Sequence, residues 1–404
     1  MIDIKNQKVV IIGHGSTMRL GVVRAVAELG CEITVIVMTG YWHWTKIKKR
    51  LKPFDCYSKY ISHLYYCHGQ DEKGFIRLLI DKCRDISQKV ILLPTTDFTA
   101  AAIENHKDKL SEHFYFPHIA DSSKSIRYWM DKLNQKTLAR EIGLNIPGSC
   151  VIEANDKSYT IPSDISYPCF TKALDSNTGG KECFYRCSNE TELRQVLDSI
   201  WNKYNVPILV EDYKEIETEY AVLGFSIGKE VVFPGIIKLS DMTVSHFGVA
   251  MTGEVMPIQG FESLLDQFKE YVLQIGFVGV FDIDFYYSEN KFYFGEINLR
   301  FGGSGYAITK MGVNLPAMLI RYFRGESYSG MKMQIDSTAS YVNERMCEDD
   351  WCYGRISSEE YRRIVASADI SFVKDEQDPM PQRIFEFIHF VHPLKKWLRR
   401  YLLH

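Results

Sequence analysis

The segment Phe294–Tyr306, which reads FGEINLRFGGSGY, places polar side chains at alternate positions of an apolar run. Because side chains along an extended strand alternate between its two faces, Glu296, Asn298 and Arg300 are predicted to point the same way. The apolar residues between them would then face a core. An acid, an amide and a base in one row, followed by a cluster of glycines, indicate a site for a highly charged ligand.

A second strand, predicted at 280–288, brings two more carboxylates toward this row. Asp282 and Asp284 lie two positions apart on it, and Glu289–Asn290 is predicted to form a tight turn into the next strand. Cross-strand neighbours lie within about 5 Å of each other. Oxygen-bearing side chains so placed suit Mg²⁺, which takes carboxylates together with phosphate oxygens and water. A solvated polar sheet face is the alternative, and the apolar flanks and glycines argue against it.

The N-terminal part of the chain has the pattern of an α/β unit. Apolar runs at 8–13 and 31–38 predict buried strands, and the segment 18–30 between them has helical spacing. A strand–helix–strand unit of this kind implies a parallel sheet. A later strand is predicted at 88–97, with polar residues at the edge where such sheets bind ligands. We therefore place an N-terminal domain at 1–118.

The pattern changes after the helical segment 121–147, which carries helix start and stop signals. Beyond it, antiparallel strands alternate with helices. The predicted strands lie at 167–173, 206–213, 219–227, 229–239, 280–288 and 291–299, and the predicted helices lie at 190–203 and 261–275. We assign 119–328 to this second domain and 329–404 to a C-terminal extension.

The composition of the 404 residues is that of an ordinary globular protein, with 46% hydrophobic and 25% charged residues. A net charge of -3 gives no basic field that would attract nucleic acid, so no nucleic-acid partner is expected. Ten scattered cysteines without a CxxC pair indicate free thiols and no zinc site. No leader-like segment and no apolar run of membrane-spanning length is found, so a cytoplasmic protein is expected.

The strand pair FDIDFYY and GEINLRFGG resembles the ATP-grasp superfamily of carboxylate–amine ligases. The resemblance covers roughly 120–325, and the segments LLPTTD and HKDKL bring it nearest to the D-aspartate-ligase-like group. It implies a mixed α/β and α+β ATP-grasp fold behind a Rossmann-like parallel-sheet domain, with a flap at about 145–210. It also implies ATP and Mg²⁺ (or Mn²⁺) as cofactors.

The resemblance also assigns the residues that would bind ATP. Lys132, in DKLNQK, and Lys172, on the strand before the flap, match two ATP-phosphate lysines. Lysine suits phosphate because its ammonium is a compact charge with three donors. The flap segment SNTGG would contribute Ser176, Gly179 and Gly180, whose backbone N–H groups can approach phosphate oxygens.

Further matches concern the base, the ribose and the metal. The hinge segment that would read adenine contains Glu211, Asp212 and Tyr213, and a carboxylate suited to ribose is Glu219. By position, the metal ligands implied by the resemblance are Asp284, Glu296 and Asn298. Asp282 is the alternative to Asp284 as the first of these ligands. The residues given catalytic roles are Arg300, which would steady charge on the transferred phosphoryl group, and Lys172.

The first glycine-rich loop, GHGSTMRLG, departs from a dinucleotide-binding fingerprint. Met18 stands where the third glycine belongs, and no acidic residue ends the second strand, so a Rossmann dehydrogenase is disfavoured. The loop still offers N–H groups at a helix N-terminus, where Ser16 and Arg19 would hold a substrate carboxylate. Asp97 would hold an amine, and Gly303 would let substrate approach. A purely structural turn at Ser16 is an equally weighted alternative.

These residues predict an ATP-dependent ligase that joins a carboxylate to an amine through an acyl phosphate, giving ADP and phosphate. Its expected partners are a small carboxylate and a small amine, one of them suggested to be an amino acid. Two alternatives stay open: an ATP-grasp enzyme with another acceptor, such as bicarbonate or a cell-envelope polymer, and an ATP-binding module without turnover. A homodimer also stays open.

The C-terminal segment 383–404 is aromatic and basic. A helix of this composition suits peripheral contact with a membrane surface, which would place the protein at the inner face of the membrane. The alternative is that the helix docks its apolar side on the protein itself. We favour the docking interpretation.

Overall fold

The computed structural model describes residues 4–39, 52–68, 71–120, 123–153, 159–174, 180–243 and 249–388. Within these ranges the strands form three sheets. The strands are β1 (Lys8–Gly13), β2 (Glu32–Thr39), β3 (Ile61–His68), β4 (Val90–Pro94), β5 (Phe114–Tyr115), β6 (His118–Ile119), β7 (Ser149–Ile152), β8 (Cys169–Ala173), β9 (Tyr185–Cys187), β10 (Ile208–Asp212), β11 (Thr218–Ile227), β12 (Val231–Val232), β13 (Ile236–Met242), β14 (Ala250–Met256), β15 (Phe277–Ser288), β16 (Lys291–Asn298), β17 (Ala339–Val342) and β18 (Ile370–Ser371).

The helices connect these strands and cover the sheets. They are α1 (Thr17–Ala27), α2 (Glu72–Cys83), α3 (Asp97–Asn105), α4 (Lys107–Leu110), α5 (Ile126–Trp129), α6 (Lys132–Ile142), α7 (Glu190–Trp201), α8 (Glu262–Ile275), α9 (Gly305–Lys310), α10 (Leu315–Phe323), α11 (Glu344–Cys352) and α12 (Ser358–Ser367). Short 3-10 helices lie at Phe54–Tyr57 and Gly180–Cys183.

The N-terminal sheet has the order β3-β2-β1-β4-β5, and all of its strand pairs are parallel. The parallel sheet predicted from the sequence is therefore confirmed. The strand order reverses between β1 and β4, so the loops after these two strands meet at one edge. Asp97, the first residue of α3, and Ser16, the residue before α1, both lie at this edge.

The large sheet carries the polar strand pair. Its path is β16-β15-β11-β13-β14-β17-β18, with β12 beside β11 and β6 beside β15. The predicted hairpin is confirmed: β15 and β16 pair in antiparallel fashion, and Glu289 and Asn290 have φ values of 52° and 59° in the turn. One face of this hairpin packs on α8 through an aromatic core that includes Phe268, Tyr271 and Phe285. The other face carries the polar side chains of β15 and β16 that form the candidate site.

The flap is a separate antiparallel sheet in the order β7-β10-β8-β9. Helix α7 covers it with Leu193, Leu197 and Ile200, which recur at helical spacing and are buried in the same cluster. Lys172 lies on β8 and Glu211 on β10. The hinge between the flap and the large sheet therefore brings both residues to the edge of the site.

Two predicted elements are corrected by the structure. The strand predicted at 229–239 is two strands, because Pro234 cannot donate a ladder hydrogen bond. The helical segment predicted at 121–147 is α5 and α6, since the Asp131 side chain accepts from two backbone N–H groups and starts a new helix. Within the segment 329–404, assigned as a C-terminal extension, β17 and β18 continue the large sheet.

Only the first part of the basic aromatic tail can be placed. A helix covers 380–388, and residues 389–404 lie outside the described part of the chain. Phe385 is buried against Leu20, Phe54 and Val373, whereas Phe387 is 61% exposed. This helix therefore docks at least one aromatic side chain on the protein. None of the helices in the described ranges has the length and apolar composition needed to cross a membrane.

Candidate active site

The two polar strands face each other as the sequence predicts. Across the pair, the Cα partner of Asp284 is Glu296, and the Cα partner of Asp282 is Asn298. A register shift follows Asp284 and leaves Gly295 as the extra residue of a bulge in β16. The Asn298 amide donates to Asp284 Oδ2 at 3.3 Å. The carboxylates and the amide thus form one continuous polar surface.

Helix α6 places a lysine over this surface. The Lys132 ammonium donates to Glu296 Oε2 at 2.6 Å. This attraction lowers the pKa of Glu296 to about 2 despite the opposing effect of its burial. Burial alone would lower the pKa of Lys132, but Glu296 outweighs it and the net shift is upward. Both groups are therefore charged across the neutral pH range.

A second cationic cluster joins α6 to the flap. The buried carboxylate of Glu211 contacts the Lys136 ammonium at 2.5 Å and the Lys172 ammonium at 2.8 Å. Burial acts to raise the pKa of Glu211, but the two lysines lower it to about 2. Burial lowers the pKa of Lys136 from its ordinary value, and Glu211 opposes that shift.

Sequence reasoning missed Lys136. It lies four residues after Lys132, so both side chains leave the same face of α6. That spacing, in a helix already assigned a phosphate lysine, is the signal that could have found it. The pairing with Glu211 has no local signal, because the two residues are 75 positions apart.

Arg300 connects the polar strands to the N-terminal sheet. Its Nε donates to Asp97 Oδ1 at 2.9 Å, and its Nη2 donates to Asn298 Oδ1 at 3.0 Å. The remaining terminal nitrogen, Nη1, donates to the carbonyl of Phe301 at 2.9 Å. Asp97 therefore belongs to the same site as Arg300. This placement fixes the guanidinium beside the row of acids.

The two aspartates of β15 are the most strongly perturbed acids of the site. Burial raises the pKa of Asp282 to about 6, and Arg300 partly opposes the shift. Burial, together with the nearby carboxylates of Asp282 and Glu296, raises the pKa of Asp284 well above its usual range. Such shifts are typical of groups placed for a ligand of opposite charge.

These groups line a cavity of about 350 Å³. The charged and amide part of the lining consists of Lys132, Lys136, Lys172, Arg300, Asp97, Glu219, Asp284, Glu296 and Asn298. A second part of the lining, the apolar wall, carries side chains that sequence reasoning did not single out: Phe184, Ile216, Leu239 and Tyr286. An apolar wall next to a cationic cluster suits a planar base linked to phosphates.

The hinge and flap predictions have different outcomes. The backbone N–H groups of Asp212 and Tyr213 donate to Gly148 and Pro168 within the flap, and the Tyr213 ring lies against the guanidinium of Arg186. Neither residue lines the cavity, and the adenine contacts expected of them stay predictions.

Three flap residues remain to be placed. Ser176 and Gly179 lie outside the described residues. Gly180 begins the 3-10 helix Gly180–Cys183, which leads to Phe184 and so to the apolar wall. The phosphate contacts expected of these three residues stay predictions.

The N-terminal loop gives one correction. Arg19 is fully buried and bonds to Asp55 at 2.7 Å, to the carbonyl of Gly13 at 2.8 Å and to Cys56 Sγ at 3.1 Å. Its guanidinium is buried and bonds only to these groups of the protein among the described residues. We therefore no longer assign Arg19 the role of binding a substrate carboxylate. The Ser16 hydroxyl caps α1 by accepting from the Arg19 N–H at 3.2 Å.

The donor set of the polar strands fits a hard divalent cation. Within the described ranges, no cluster of three or more His, Cys, Asp or Glu side chains is arranged to hold a metal. The predicted set is of another kind, with two carboxylates and one amide oxygen from Asp284, Glu296 and Asn298. Such oxygen ligands suit Mg²⁺, which keeps several waters and binds through one or two carboxylates plus phosphate.

The class of protein follows from this fold and from the family comparison. Residues 137–314 match the family model of the ATP-grasp domain. The chain therefore contains a segment that matches an ATP-grasp domain, and the ATP-grasp fold that the sequence predicts is confirmed.

Three individual proteins show how far the similarity extends. The large chain of carbamoyl phosphate synthase from Gemmatimonas aurantiaca is 21% identical over 218 residues, which are 53% of this chain and 20% of that protein. The D-aspartate ligase of Enterococcus faecium is 23% identical over 257 residues, or 59% of this chain and 60% of that protein. This chain thus spans only part of the length of these relatives.

The third protein is a solved structure. N5-carboxyaminoimidazole synthetase from Staphylococcus aureus, complexed with ADP, superposes with a TM-score of 0.60 at 15% identity, covering 84% of this chain and 83% of that one. At this identity the likeness shows the fold alone.

Proposed function

We propose that this chain is an ATP-dependent ligase that joins a carboxylate to an amine and releases ADP and phosphate. The observation that carries the proposal is the meeting, in one cavity, of lysine ammonium groups with the opposed acids of β15 and β16. A triphosphate needs both, because its own charge is met by ammonium groups and by a cation held on carboxylates. The similarity to D-aspartate ligase supports the same reaction class.

Each side of the cavity would take a different part of ATP. The apolar wall, with Phe184 and Tyr286, would hold the base, and Glu219 would accept hydrogen bonds from the ribose hydroxyls. Lys132 and Lys172 would bind the phosphates. Both lysines now bond to carboxylates, at 2.6 Å and 2.8 Å, so phosphate oxygens would share these ammonium groups with Glu296 and Glu211.

Magnesium, when held by Asp284, Glu296 and Asn298, would offset phosphate charge that would otherwise oppose attack by a carboxylate. The chain's own groups do the rest by positioning. Arg300, fixed by Asp97 and Asn298, would face the charge that develops on the transferred phosphoryl group. No side-chain nucleophile is required.

The reaction would then run in two steps. A carboxylate oxygen of the acid attacks the terminal phosphorus, the bond to the bridging oxygen breaks, and ADP leaves with the electron pair. The amine nitrogen attacks the carbonyl carbon of the acyl phosphate, the bond from that carbon to the phosphate oxygen breaks, and the amine proton passes to solvent. The acyl phosphate must be kept from water between these steps, which suits a flap that covers the cavity.

Phosphate release from Mg-ATP tests the proposal. The full chain would be screened against pairs of carboxylic acids and amines, including amino acids, with bicarbonate among the acids. We expect release that requires both members of one pair and is lost in Glu296→Ala. Tight binding of Mg-ATP without release for any pair would overturn the ligase reaction and favour a binding module.

A further inference from the structure

Strand β16 lies at an edge of the large sheet. In the described part of the chain it pairs with β15 on one side, and no strand pairs with it on the other. Backbone groups on an open edge need partners from elsewhere, because a buried N–H or C=O group without a hydrogen bond is costly. Two of the proposed metal ligands, Glu296 and Asn298, lie on this strand. Whatever closes its open edge therefore also affects where these ligands lie.

A side chain from α6 closes this edge beside the site. The Ile297 N–H donates to Gln135 Oε1 at 3.0 Å, and Gln135 Nε2 donates back to the Ile297 carbonyl at 3.0 Å. A residue of a neighbouring antiparallel strand would exchange the same two bonds. The Gln135 amide thus takes the place of a strand at the one residue that separates Glu296 from Asn298.

The remaining contacts of Gln135 hold its side chain in one orientation. An amide nitrogen has two donors, and the second one goes to the Trp129 carbonyl at 2.7 Å. The Tyr271 hydroxyl donates to the backbone carbonyl of Gln135 at 3.1 Å. The residue is only 4% exposed. Gln135 is therefore bonded to α5, α8 and β16 at once.

Gln135 lies on the same turn of α6 as two lysines of the cavity. Lys132 precedes it by three residues, and Lys136 follows it directly. Across the same junction of α6 and β16, the Lys132 ammonium contacts Glu296 Oε2 at 2.6 Å. The lysines of the proposed phosphate site and the acids of the proposed cation site thus come from two elements that Gln135 joins.

A second contact of this kind lies further along the same edge. The Asn145 side chain donates to the Phe292 carbonyl at 3.0 Å, and the Asn145 carbonyl accepts from the Phe294 N–H at 2.9 Å. Asn145 is exposed, and it bonds to the part of β16 that precedes the bulge. Of these two contacts, the one made by Gln135 is placed to fix the proposed metal ligands.

We propose that Gln135 is a positioning residue, which sets the place of Glu296 and Asn298 relative to the lysines of α6. This inference rests on the proposed function and concerns the Mg²⁺ and phosphate groups of that site. Gln135 does not line the cavity, so it acts through the backbone of Ile297. Replacing a group that orients metal ligands typically costs about 10- to 100-fold in metal affinity or activity.

Gln135→Met tests this role, because methionine keeps the length of the side chain and removes its amide. The full chain would be titrated by calorimetry with a non-hydrolysable ATP analogue, once in Mg²⁺ and once in EDTA. The ratio of the Kd in EDTA to the Kd in Mg²⁺ is the Mg²⁺ gain. We expect this gain to fall about 10-fold or to vanish in the variant. The Kd in EDTA should stay near the wild-type value, since the lysines and the apolar wall are unchanged.

Two control variants separate positioning from a general loss of stability. Tyr271→Phe removes a buried hydrogen bond to Gln135 and leaves the side-chain amide in place. Asn145→Leu removes the other side-chain contact on the edge of β16. Both should keep the Mg²⁺ gain of the wild type, even where thermal unfolding shows a lower Tm.

Gln135→Asn covers the case in which Gln135→Met does not fold. It keeps an amide but shortens the side chain by one methylene, so we expect it to reduce the Mg²⁺ gain in the same direction.

The outcomes separate this inference from the ligase reaction. A Mg²⁺ gain that is unchanged in the folded Gln135 variants, an equal loss in Tyr271→Phe, or a wild type without any Mg²⁺ gain would overturn the role of Gln135. A loss confined to the Gln135 variants would support it, whether or not the wild type releases phosphate. Failure of phosphate release with every acid–amine pair would overturn the ligase reaction alone.

Discussion

The two ends of the cavity are charged in opposite senses. At the lysine end, Lys132, Lys136 and Lys172 face two carboxylates, those of Glu296 and Glu211. At the Arg300 end, by contrast, a single cation faces two acids, because Arg300 lies near both Asp97 and Asp284. One end thus has an excess of positive charge and the other an excess of negative charge. This difference suits a phosphate at one end and an amine at the other.

The largest expected effect lies at the Arg300 end. Arg300→Met removes the guanidinium that Asp97 and Asn298 hold in place. Loss of one charge-stabilising donor typically lowers kcat by about 10²- to 10³-fold, and we expect a loss of this size in phosphate release. The KM for ATP should change little. A kcat within a few-fold of the wild type would show that Arg300 only supports the fold.

Lys136→Met tests the lysine end of the cavity by its effect on the free energy of unfolding. Lys136 and Glu211 are both 4% exposed as side chains, and breaking a buried ion pair leaves an uncompensated charge. We expect the free energy of unfolding to fall by about 3 kcal/mol, toward the lower limit for such pairs because Lys172 still contacts Glu211.

The control for that variant is Lys214→Met. It breaks the pair between Lys214 and the more exposed Glu289, and solvent-exposed ion pairs of this kind contribute little to stability. Urea unfolding of both variants would give the comparison. Equal losses of unfolding free energy in the two variants would contradict the claim that the buried pair of Lys136 and Glu211 contributes more than the exposed pair.

A smaller effect is expected from pH. The pKa of Glu211 is about 2 in the folded protein against an ordinary 4.5, so its contribution to stability is complete above the ordinary value and is lost as the pH falls toward 2. Between about pH 6 and pH 3 this loss amounts to about 2 kcal/mol. Glu211→Gln lacks the titrating group. The difference in the free energy of unfolding between this variant and the wild type should therefore narrow as the pH falls from about 6 to about 3. A difference that does not change with pH would contradict the pairing.

The local parts of this site could be predicted from the sequence. Alternation along two strands predicted which side chains share a face of each strand, and the turn Glu289–Asn290 predicted the hairpin. A regular hairpin with this turn would pair Asp284 with Gly295, and the register shift after Asp284, which the sequence does not reveal, brings Glu296 opposite it. The same reasoning placed Arg300 beside Asn298, because both follow from the period of a strand. The parallel N-terminal sheet followed from one strand–helix–strand unit.

The remaining contacts join distant parts of the chain and have no local pattern. The partner of Arg19 is Asp55, and its burial beneath the loop shows only in the fold, although a helix N-terminus favoured a substrate contact. The pairing of Lys136 with Glu211 depends on how the flap sits over α6. The strand β17 joins the large sheet beside β14 from a region where the sequence pattern is weak.

Transfer of an oxygen atom tests the central claim most directly. The acid found by the phosphate-release screen would carry ¹⁸O in its carboxylate, and the released phosphate would be analysed by mass spectrometry. If the acid is phosphorylated before the amine attacks, one ¹⁸O atom should appear in each phosphate formed. Phosphate without ¹⁸O would mean that water attacks ATP, and it would contradict the acyl-phosphate ligase that this cavity is proposed to be.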